Sequence, residues 1–299
     1  MSHLTLVLIG CGGVGSVLCE ALLRIGFAQS GGIILIDDDR LEESNLSRFQ
    51  GGKPGMVGKP KAHLLAKQLR AMFPLLPVKA ISQSVFHPDA EAALRSADLI
   101  VAGLDNDEAR VFLNRIALQF YLPYFDAGTS ITAKNAKTDF LTRYFAVIPG
   151  VTACMECTEY TLFNRERVIN AFLDQHTLQA RAAAGYVIDD PNVSAPSVYA
   201  LNLRSAGLLT TELLNYICGF RPTATLISES WREGHFQRAD RLNFPEQPDP
   251  ECPICHYYAG TADNECLPRP SRMQCDNPLT VISDPITNHL YEDLHHGQA

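Results

Sequence analysis

The residues best suited to chemistry near the start of the chain are the glycines that follow its first apolar run. Four of them form the pattern G-x-G-G-x-G after the run Leu4–Ile9: Gly10, Gly12, Gly13 and Gly15. Glycines at a turn let backbone N–H groups approach a phosphate, and the N-terminus of the next helix adds partial positive charge. The pattern predicts a nucleotide-binding turn between a buried strand and a helix over 16–25. By itself it does not identify the nucleotide.

Three aspartates follow the second apolar run, Ile33–Ile36. A carboxylate at the tip of the second strand of a dinucleotide-binding fold holds the hydroxyls of a ribose. Asp37 follows the run directly, so it is the predicted ribose ligand, with Asp39 two residues further on. The alternative is that the aspartates form a solvated turn.

A group of cationic residues comes next and indicates a triphosphate. Arg48 offers a planar fork of donors, and Lys61 offers a point charge at the start of a helix predicted over 62–72. A hydride-transfer enzyme needs no such charges here, whereas a site that neutralises a triphosphate does. Lys53 and Lys59 are interpreted as solvated loop charges.

An acidic residue follows the buried run Ala97–Leu104. Residues just past the carboxyl ends of parallel strands line the ligand crevice, so Asp105 is expected at the same edge as the glycine turn. Mg²⁺ usually binds through one or two carboxylates plus phosphates, which makes Asp105 the predicted Mg²⁺ ligand. The alternative is that Asp105 caps the helix predicted over 108–120, and the two roles are compatible.

Two C-x-x-C pairs lie far apart in the chain: Cys154 with Cys157, and Cys252 with Cys255. Four thiolates can hold a tetrahedral Zn²⁺ that joins distant segments and leaves no position open for catalysis. The pairs therefore predict a structural zinc site. A redox role for either pair is the lesser alternative.

Composition narrows the class of protein. The 299 residues carry a formal net charge of −8, which argues against a broad nucleic-acid footprint. The sequence shows neither an apolar run of membrane-spanning length nor the pattern of a signal peptide, so the chain is expected to be cytoplasmic and without a membrane partner.

The ordered set of motifs resembles the ThiF/MoeB/HesA family of ATP-dependent adenylyltransferases, within the ubiquitin-activating (E1-like) superfamily. The glycine turn is followed by D-x-D, S-N-L-x-R, V-G-x-x-K, a strand ending in G-x-D-N, and R-x-x-x-N on the next helix. The residues that match beyond the glycines are Asp37, Asp39, Asn45, Arg48, Lys61, Asp105, Asn106, Arg110 and Asn114.

The resemblance implies a role for these positions. Arg48 and Lys61 would hold the β- and γ-phosphates of ATP, and Asn45 and Arg110 would complete the polar wall near the reacting phosphate. The four cysteines would hold structural zinc. The substrate would be a ubiquitin-like or sulfur-carrier protein ending in Gly-Gly, and the enzyme would be a homodimer.

Two departures from the family bear on the reaction. Residues 158–194 lack the cysteine to which some relatives transfer their substrate, so the reaction is expected to stop at the acyl-adenylate or to continue on another protein. Cys266 or Cys275 as a carrier is a weaker hypothesis. Many relatives also place an arginine from an N-terminal extension in the partner's phosphate site. Here Arg165 or Arg167 substitutes, a partner supplies the charge, or turnover is slow.

The predicted fold is α/β: a Rossmann-like ATP-binding sheet of parallel strands, continued by a mixed or antiparallel part, with a zinc site made of four cysteines. One adenylation domain would span 1–255, with a nucleotide-binding half over 1–130 and a substrate and zinc half over 131–255, followed by an irregular tail over 256–299. Alternative functions are adenylation of a small molecule or a modified tRNA nucleoside, and a non-catalytic nucleotide-binding assembly module. An NAD dehydrogenase is the weakest alternative, because it leaves Arg48, Lys61 and both cysteine pairs unexplained.

Overall fold

Strands and helices alternate along the first half of the chain. The computed structural model describes residues 1–134, 137–158, 179, 197–232, 235–240 and 245–262. The elements of the first half are β1 (Leu6–Ile9), α1 (Gly13–Arg24), β2 (Ile33–Ile36), α2 (Lys61–Met72), β3 (Val78–Ile81), α3 (Pro88–Arg95), β4 (Leu99–Ala102) and α4 (Asp107–Phe120). Short apolar runs between helices favour parallel strands that are covered on both faces, and β1 and β4 are indeed buried throughout.

Longer strands dominate the second half. Its elements are β5 (Tyr124–Lys134), β6 (Lys137–Val147), α5 (Tyr199–Cys218), β7 (Leu226–Arg232), β8 (His235–Asp240) and α6 (Pro253–Tyr258). The strands form one eight-stranded sheet in the order β3-β2-β1-β4-β5-β6-β7-β8. Pairing is parallel from β3 through β5 and antiparallel from β5 through β8. The predicted fold class, parallel strands continued by an antiparallel part, is confirmed.

Alternate residues of β1 enter two different hydrophobic cores, one on each face of the sheet. Leu6 and Leu8 belong to the core that includes residues of α1, α2 and α5. Val7 and Ile9 belong to the core that includes residues of α3, α4 and α6. Because β1 lies between β2 and β4, the connections reverse direction there, and open α/β sheets bind ligands at such a point.

Some element boundaries differ from those predicted. Helix α1 begins at Gly13 rather than at residue 16, so the glycine turn itself starts the helix. The sequence did not reveal α3, and α6 extends to Tyr258, past the predicted start of the irregular tail. Residues 263–299 lie outside the described part of the chain. The domain boundaries remain a prediction, although the single sheet contains strands of both proposed halves.

Among the described residues, no helix combines enough length and apolar character to cross a bilayer.

Candidate nucleotide site and thiolate cluster

The glycine turn lies where β1, β4 and the start of α1 approach one another most closely. Gly10 has φ +82°, and a Cβ there would lie 2.7 Å from the carbonyl oxygen of Gly103, just after β4. A Cβ on Gly15 would lie 1.7 Å from the carbonyl oxygen of Gly10. By contrast, a Cβ on Gly12 would meet no atom within 4 Å. The glycines at 10 and 15 permit close packing, whereas Gly12 borders open space.

That open space is a cavity of about 500 Å³ at the carboxyl ends of the parallel strands. Most of the residues predicted to bind the nucleotide line it: Gly10, Gly12, Gly13, Asp37, Asp39, Asn45, Arg48, Lys61, Asp105, Asn106 and Arg110. Gly15 and Asn114 are not among the lining residues. Residues distant in sequence are thus brought together as the rule for parallel sheets predicts.

The Asp37 side chain is hydrogen-bonded to the backbone of the glycine turn. Its Oδ2 accepts a hydrogen bond from the backbone N–H of Cys11 at 2.6 Å, and its Oδ1 accepts one from that of Asp39 at 2.8 Å. Burial raises the pKa of the Asp37 carboxyl to about 6, although the nearby Lys61 ammonium opposes the rise. Each carboxylate oxygen keeps a second lone pair, so Asp37 can still accept from a pair of hydroxyl groups.

Lys61 reaches the same part of the cavity from the first residue of α2. Its Nζ lies 2.7 Å from Oδ2 of Asp39, and its backbone N–H donates to the Asp39 carbonyl oxygen at 2.9 Å. The ammonium is mostly buried. Burial alone would lower the pKa of Lys61, but the charges of Asp37 and Asp39 outweigh it and raise that pKa. Lys61 is therefore a fixed positive charge, and an ammonium with three donors can bind phosphate oxygens in addition to Asp39.

Asn45 and Arg48 come from a short 3₁₀ turn over Glu43–Asn45 and the residues after it. The Asn45 side chain accepts from the backbone N–H of Glu42 at 3.4 Å and donates to the Ser44 hydroxyl at 3.1 Å. Arg48 Nη1 donates to the Ser44 carbonyl oxygen at 3.0 Å. These contacts hold the turn and leave other donors of the Arg48 guanidinium for a ligand, since the group has five.

The cap of α4 differs from the one predicted. Asn106, not Asp105, is the N-cap, because its Oδ1 accepts from the backbone N–H of Ala109 at 2.8 Å. The alternative interpretation, that Asp105 caps this helix, is therefore wrong by one residue. Asp105 is instead exposed and lines the cavity, a position that suits a metal ligand.

Arg110 is buried and bound to groups of the protein itself. Its Nε donates to both carboxylate oxygens of Asp126 at 3.2 and 3.0 Å, its Nη1 donates to Asp107 Oδ1 at 2.8 Å, and its Nη2 donates to the Leu104 carbonyl oxygen. Arg110 thus shapes the cavity wall.

Sequence analysis missed a third arginine that lines the cavity, Arg143 on β6. The available signal was a charged residue within an otherwise mostly apolar strand. Burial, and then the like charge of Arg110, lower the pKa of the Arg143 guanidinium to about 10.

Asn114 serves the thiolate cluster rather than the cavity. Its Oδ1 accepts the backbone N–H of Met155, between the first two cysteines, at 3.1 Å. In the part of the chain that the structure describes, the predicted role of Asn114 in nucleotide binding therefore has no geometric support.

The four predicted zinc ligands converge. The Sγ atoms of Cys154, Cys157, Cys252 and Cys255 all lie within 4.8 Å of one another. The distances from Cys154 to Cys157 and to Cys252 are 3.6 and 3.7 Å, and that from Cys157 to Cys255 is 3.7 Å. Four sulfurs bound tetrahedrally to Zn²⁺ at about 2.3 Å lie about 3.8 Å apart, whereas a disulfide requires about 2.05 Å. The donor set and its spacing fit a zinc ion.

Other predicted candidates, namely Arg165, Arg167, Cys266 and Cys275, lie outside the described residues.

Comparison with known proteins identifies the family to which this chain belongs. A model of the ThiF family matches residues 1–254. Ubiquitin-like modifier-activating enzyme 5 of Drosophila persimilis is 25% identical over 296 residues, covering 94% of this chain and 69% of that protein. The NEDD8-activating enzyme E1 catalytic subunit of Saccharomyces cerevisiae is 29% identical over 178 residues, covering 55% of this chain and 54% of that protein.

Solved structures agree with the fold. The crystal structure of Escherichia coli MccB with AMPCPP and MccA has a TM-score of 0.63 and 19% identity, covering 85% of this chain and 67% of that one. The chain thus spans about two thirds of the length of MccB and of the activating enzyme from D. persimilis. Because the family model covers most of the sequence, the chain belongs to the ThiF family, and the adenylyltransferase class predicted from its motifs is confirmed.

Proposed function

We propose that this protein uses ATP to activate the C-terminal carboxylate of a ubiquitin-like or sulfur-carrier protein as an acyl-adenylate. One observation carries the proposal. The glycine turn, a ribose-type carboxylate, two phosphate-type cations and an exposed aspartate all line one cavity. This combination suits a nucleoside triphosphate better than a dinucleotide, because the two cations can neutralise the charge of the triphosphate.

The positions of the side chains support the following roles. Asp37 would accept the ribose hydroxyls, and Gly12 would let a phosphate approach the N-terminus of α1. Lys61 and Arg48 would neutralise the β- and γ-phosphates. Asp105 would hold Mg²⁺, which would further neutralise the triphosphate when bound.

The reaction needs charge neutralisation and positioning rather than a general base. An oxygen of the ionised substrate carboxylate would attack the α-phosphorus, and the bond from that phosphorus to the oxygen bridging to the β-phosphate would break. Pyrophosphate would leave, and the acyl group would remain joined to AMP. Fixed cations such as Lys61 favour this step because they are oriented before the charge moves.

The names of the relatives support the choice of a protein substrate. One is a ubiquitin-like modifier-activating enzyme by name and matches 94% of this chain. The other is by name the catalytic subunit of a NEDD8-activating enzyme and matches 55% of this chain. The homodimer and the cytoplasmic location remain predictions, as does structural zinc at the thiolate cluster.

ATP–pyrophosphate exchange in the presence of a small carrier protein ending in Gly-Gly tests the proposal. Lys61→Ala should abolish exchange and leave the thermal unfolding temperature near that of the wild type. Lys67→Ala is the matched control, because Lys67 lies exposed on the same helix. Equal exchange in both variants would contradict the assignment. ATP binding without any exchange would instead favour the non-catalytic assembly module.

A further inference from the structure

The start of α5 lies against two elements to which the proposed function assigns phosphate binding. These are the glycine turn with Gly13, the first residue of α1, and the segment that contains Arg48; both residues line the cavity. A Cβ on Gly13 would lie 2.3 Å from Nδ2 of Asn202 and 3.5 Å from the carbonyl oxygen of Arg48. Asn202 itself is buried and does not line the cavity. Its side chain therefore occupies the space that a side chain at residue 13 would need, and the three elements meet at this point.

The amide group of Asn202 is held in one orientation. Its Oδ1 accepts hydrogen bonds from the hydroxyls of Thr129 and Ser197 at 3.4 and 3.1 Å. Its Nδ2 is buried and has no hydrogen-bond partner within the described part of the chain. A buried N–H group without a partner destabilises a protein. The place of Nδ2 beside Gly13 thus serves a purpose other than stability.

Tyr199 makes a second connection from the same helix. It precedes Asn202 by three residues, so the two side chains lie on one face of α5. The Tyr199 hydroxyl donates to Oε1 of Gln50, and the backbone N–H of Gln50 donates to Oγ of Ser16 on α1 at 3.1 Å. Because Gln50 follows Arg48 by two residues, these hydrogen bonds fix the Arg48 segment relative to α1.

We propose that Asn202 and Tyr199 are positioning residues, which place the glycine turn and the Arg48 segment so that both can bind the phosphates of one nucleotide. Neither residue lines the cavity, so each acts through the element that it contacts. Hydrogen bonds weaken steeply when their distance or angle departs from the preferred range, so a shift of either element would weaken phosphate binding. The inference rests on the proposed function, because only a nucleotide with phosphates needs both elements at once.

Calorimetric titration of the full chain with ATP and with adenosine tests the inference. Adenosine has no phosphates, so its binding through Asp37 does not need the two elements in register. The wild type should bind ATP more tightly than adenosine. Asn202→Ala and Tyr199→Phe should each lower the affinity for ATP by about two- to tenfold, the range for a lost hydrogen bond, and leave the affinity for adenosine unchanged.

Thr211→Ala is the control, because Thr211 is exposed on the same helix and does not line the cavity. It should bind both ligands as the wild type does. The measured quantity is the ratio of the two affinities, and a merely structural role would lower both affinities and leave that ratio unchanged.

A double variant tests the contact between Asn202 and the turn. Gly13→Ala alone should weaken ATP binding, because its Cβ would lie 2.3 Å from Nδ2 of Asn202. Asn202→Ala removes that amide group and leaves the carbonyl oxygen of Arg48, at the ordinary contact distance of 3.5 Å. The double variant should therefore bind ATP more tightly than Gly13→Ala does. No recovery of affinity would contradict the role of Asn202.

The remaining outcomes separate the inference from the proposed function. If Asn202→Ala and Tyr199→Phe both keep the wild-type ratio of affinities, the inference is overturned and the proposed function stands. If only one of them keeps it, that residue is not a positioning residue. If the wild type itself binds ATP no more tightly than adenosine, the proposed function fails and the inference fails with it.

Discussion

Replacing two glycines of the same turn by alanine should have different effects. One substitution should destabilise the fold, and the other should weaken ligand binding. Gly15→Ala would place a Cβ 1.7 Å from the carbonyl oxygen of Gly10, and such contacts are not found below 3.0 Å, so the backbones must separate by at least 1.3 Å. Because the contact is with backbone, no side-chain rotation relieves it. Overpacking of this kind costs about 3 kcal/mol, a large part of the stability of a typical domain.

Gly12→Ala should spare the fold and impair the ligand site. No atom lies within 4 Å of the added Cβ, and φ at Gly12 is −78°, outside the left-handed region that favours glycine. Since Gly12 is the N-cap of α1, its replacement by alanine should cost about 1 kcal/mol or less. The methyl group would enter the cavity and keep a phosphate from the backbone N–H groups. Loss of one such hydrogen bond lowers affinity by about ten- to one-hundred-fold.

Urea denaturation measures the first effect, and calorimetric titration with ATP measures the second. The expected pattern is a large fall in the free energy of unfolding for Gly15→Ala only, and a weakened ATP affinity in a stable Gly12→Ala variant. If Gly12→Ala unfolds as easily as Gly15→Ala, or binds ATP as tightly as the wild type, the roles assigned to the two glycines are wrong.

Three further results are expected. Adenosine, which has no phosphate to titrate, should bind more weakly as the pH falls through about 6. The reason is that protonation of Asp37, whose pKa is raised to about 6, removes hydrogen-bond acceptors for the ribose hydroxyls. An affinity for adenosine that does not change between pH 5 and 8 would contradict this prediction. In urea denaturation, Asn106→Ala should lower the free energy of unfolding by about 0.5–2 kcal/mol as a lost N-cap, whereas exposed Asp105→Ala should change it by about 0.5 kcal/mol or less. Mass spectrometry should find one zinc ion per chain, and Cys157→Ser should lower both the zinc content and the thermal unfolding temperature; a metal-free wild type of equal stability would contradict the zinc assignment.

Much of the nucleotide end of the cavity could be predicted from the sequence, because its residues follow short buried strands directly. A strand that ends at Ile36 presents Asp37 at the edge of the sheet, and any parallel neighbour presents its next residues at that same edge. The four cysteines could be predicted for a different reason, since thiolates are strong zinc ligands and the C-x-x-C spacing is recognisable in the sequence. For both sites, the local sequence pattern and the chemistry of the residue types predict the same ligand.

The part of the cavity that lies beside β6 could not be predicted in this way. Arg143 lies in the cavity only because β6 pairs with β5 in a register that places it beside Gly128, a long-range choice that no local pattern specifies. Asn202 meets the glycine turn only because α5 packs against α1: a Cβ on Gly13 would lie 2.3 Å from its Nδ2. The sequence does not decide between Asp105 and Asn106 as the N-cap of α4, because Asp and Asn are both good caps and the two residues are adjacent.

Helix α4 carries polar residues at a spacing of four, and they connect the nucleotide cavity with the cysteine cluster at a fixed distance. Asn106 caps the helix at the cavity, Arg110 binds the cavity wall one turn later, and Asn114 holds the backbone between the first two cysteines. At 1.5 Å per residue, the eight residues from Asn106 to Asn114 separate the two sites by about 12 Å along one rigid rod. Metal lost from the cysteines would release one end of that rod. Zinc content should therefore alter nucleotide affinity, although no cysteine of the cluster lines the cavity.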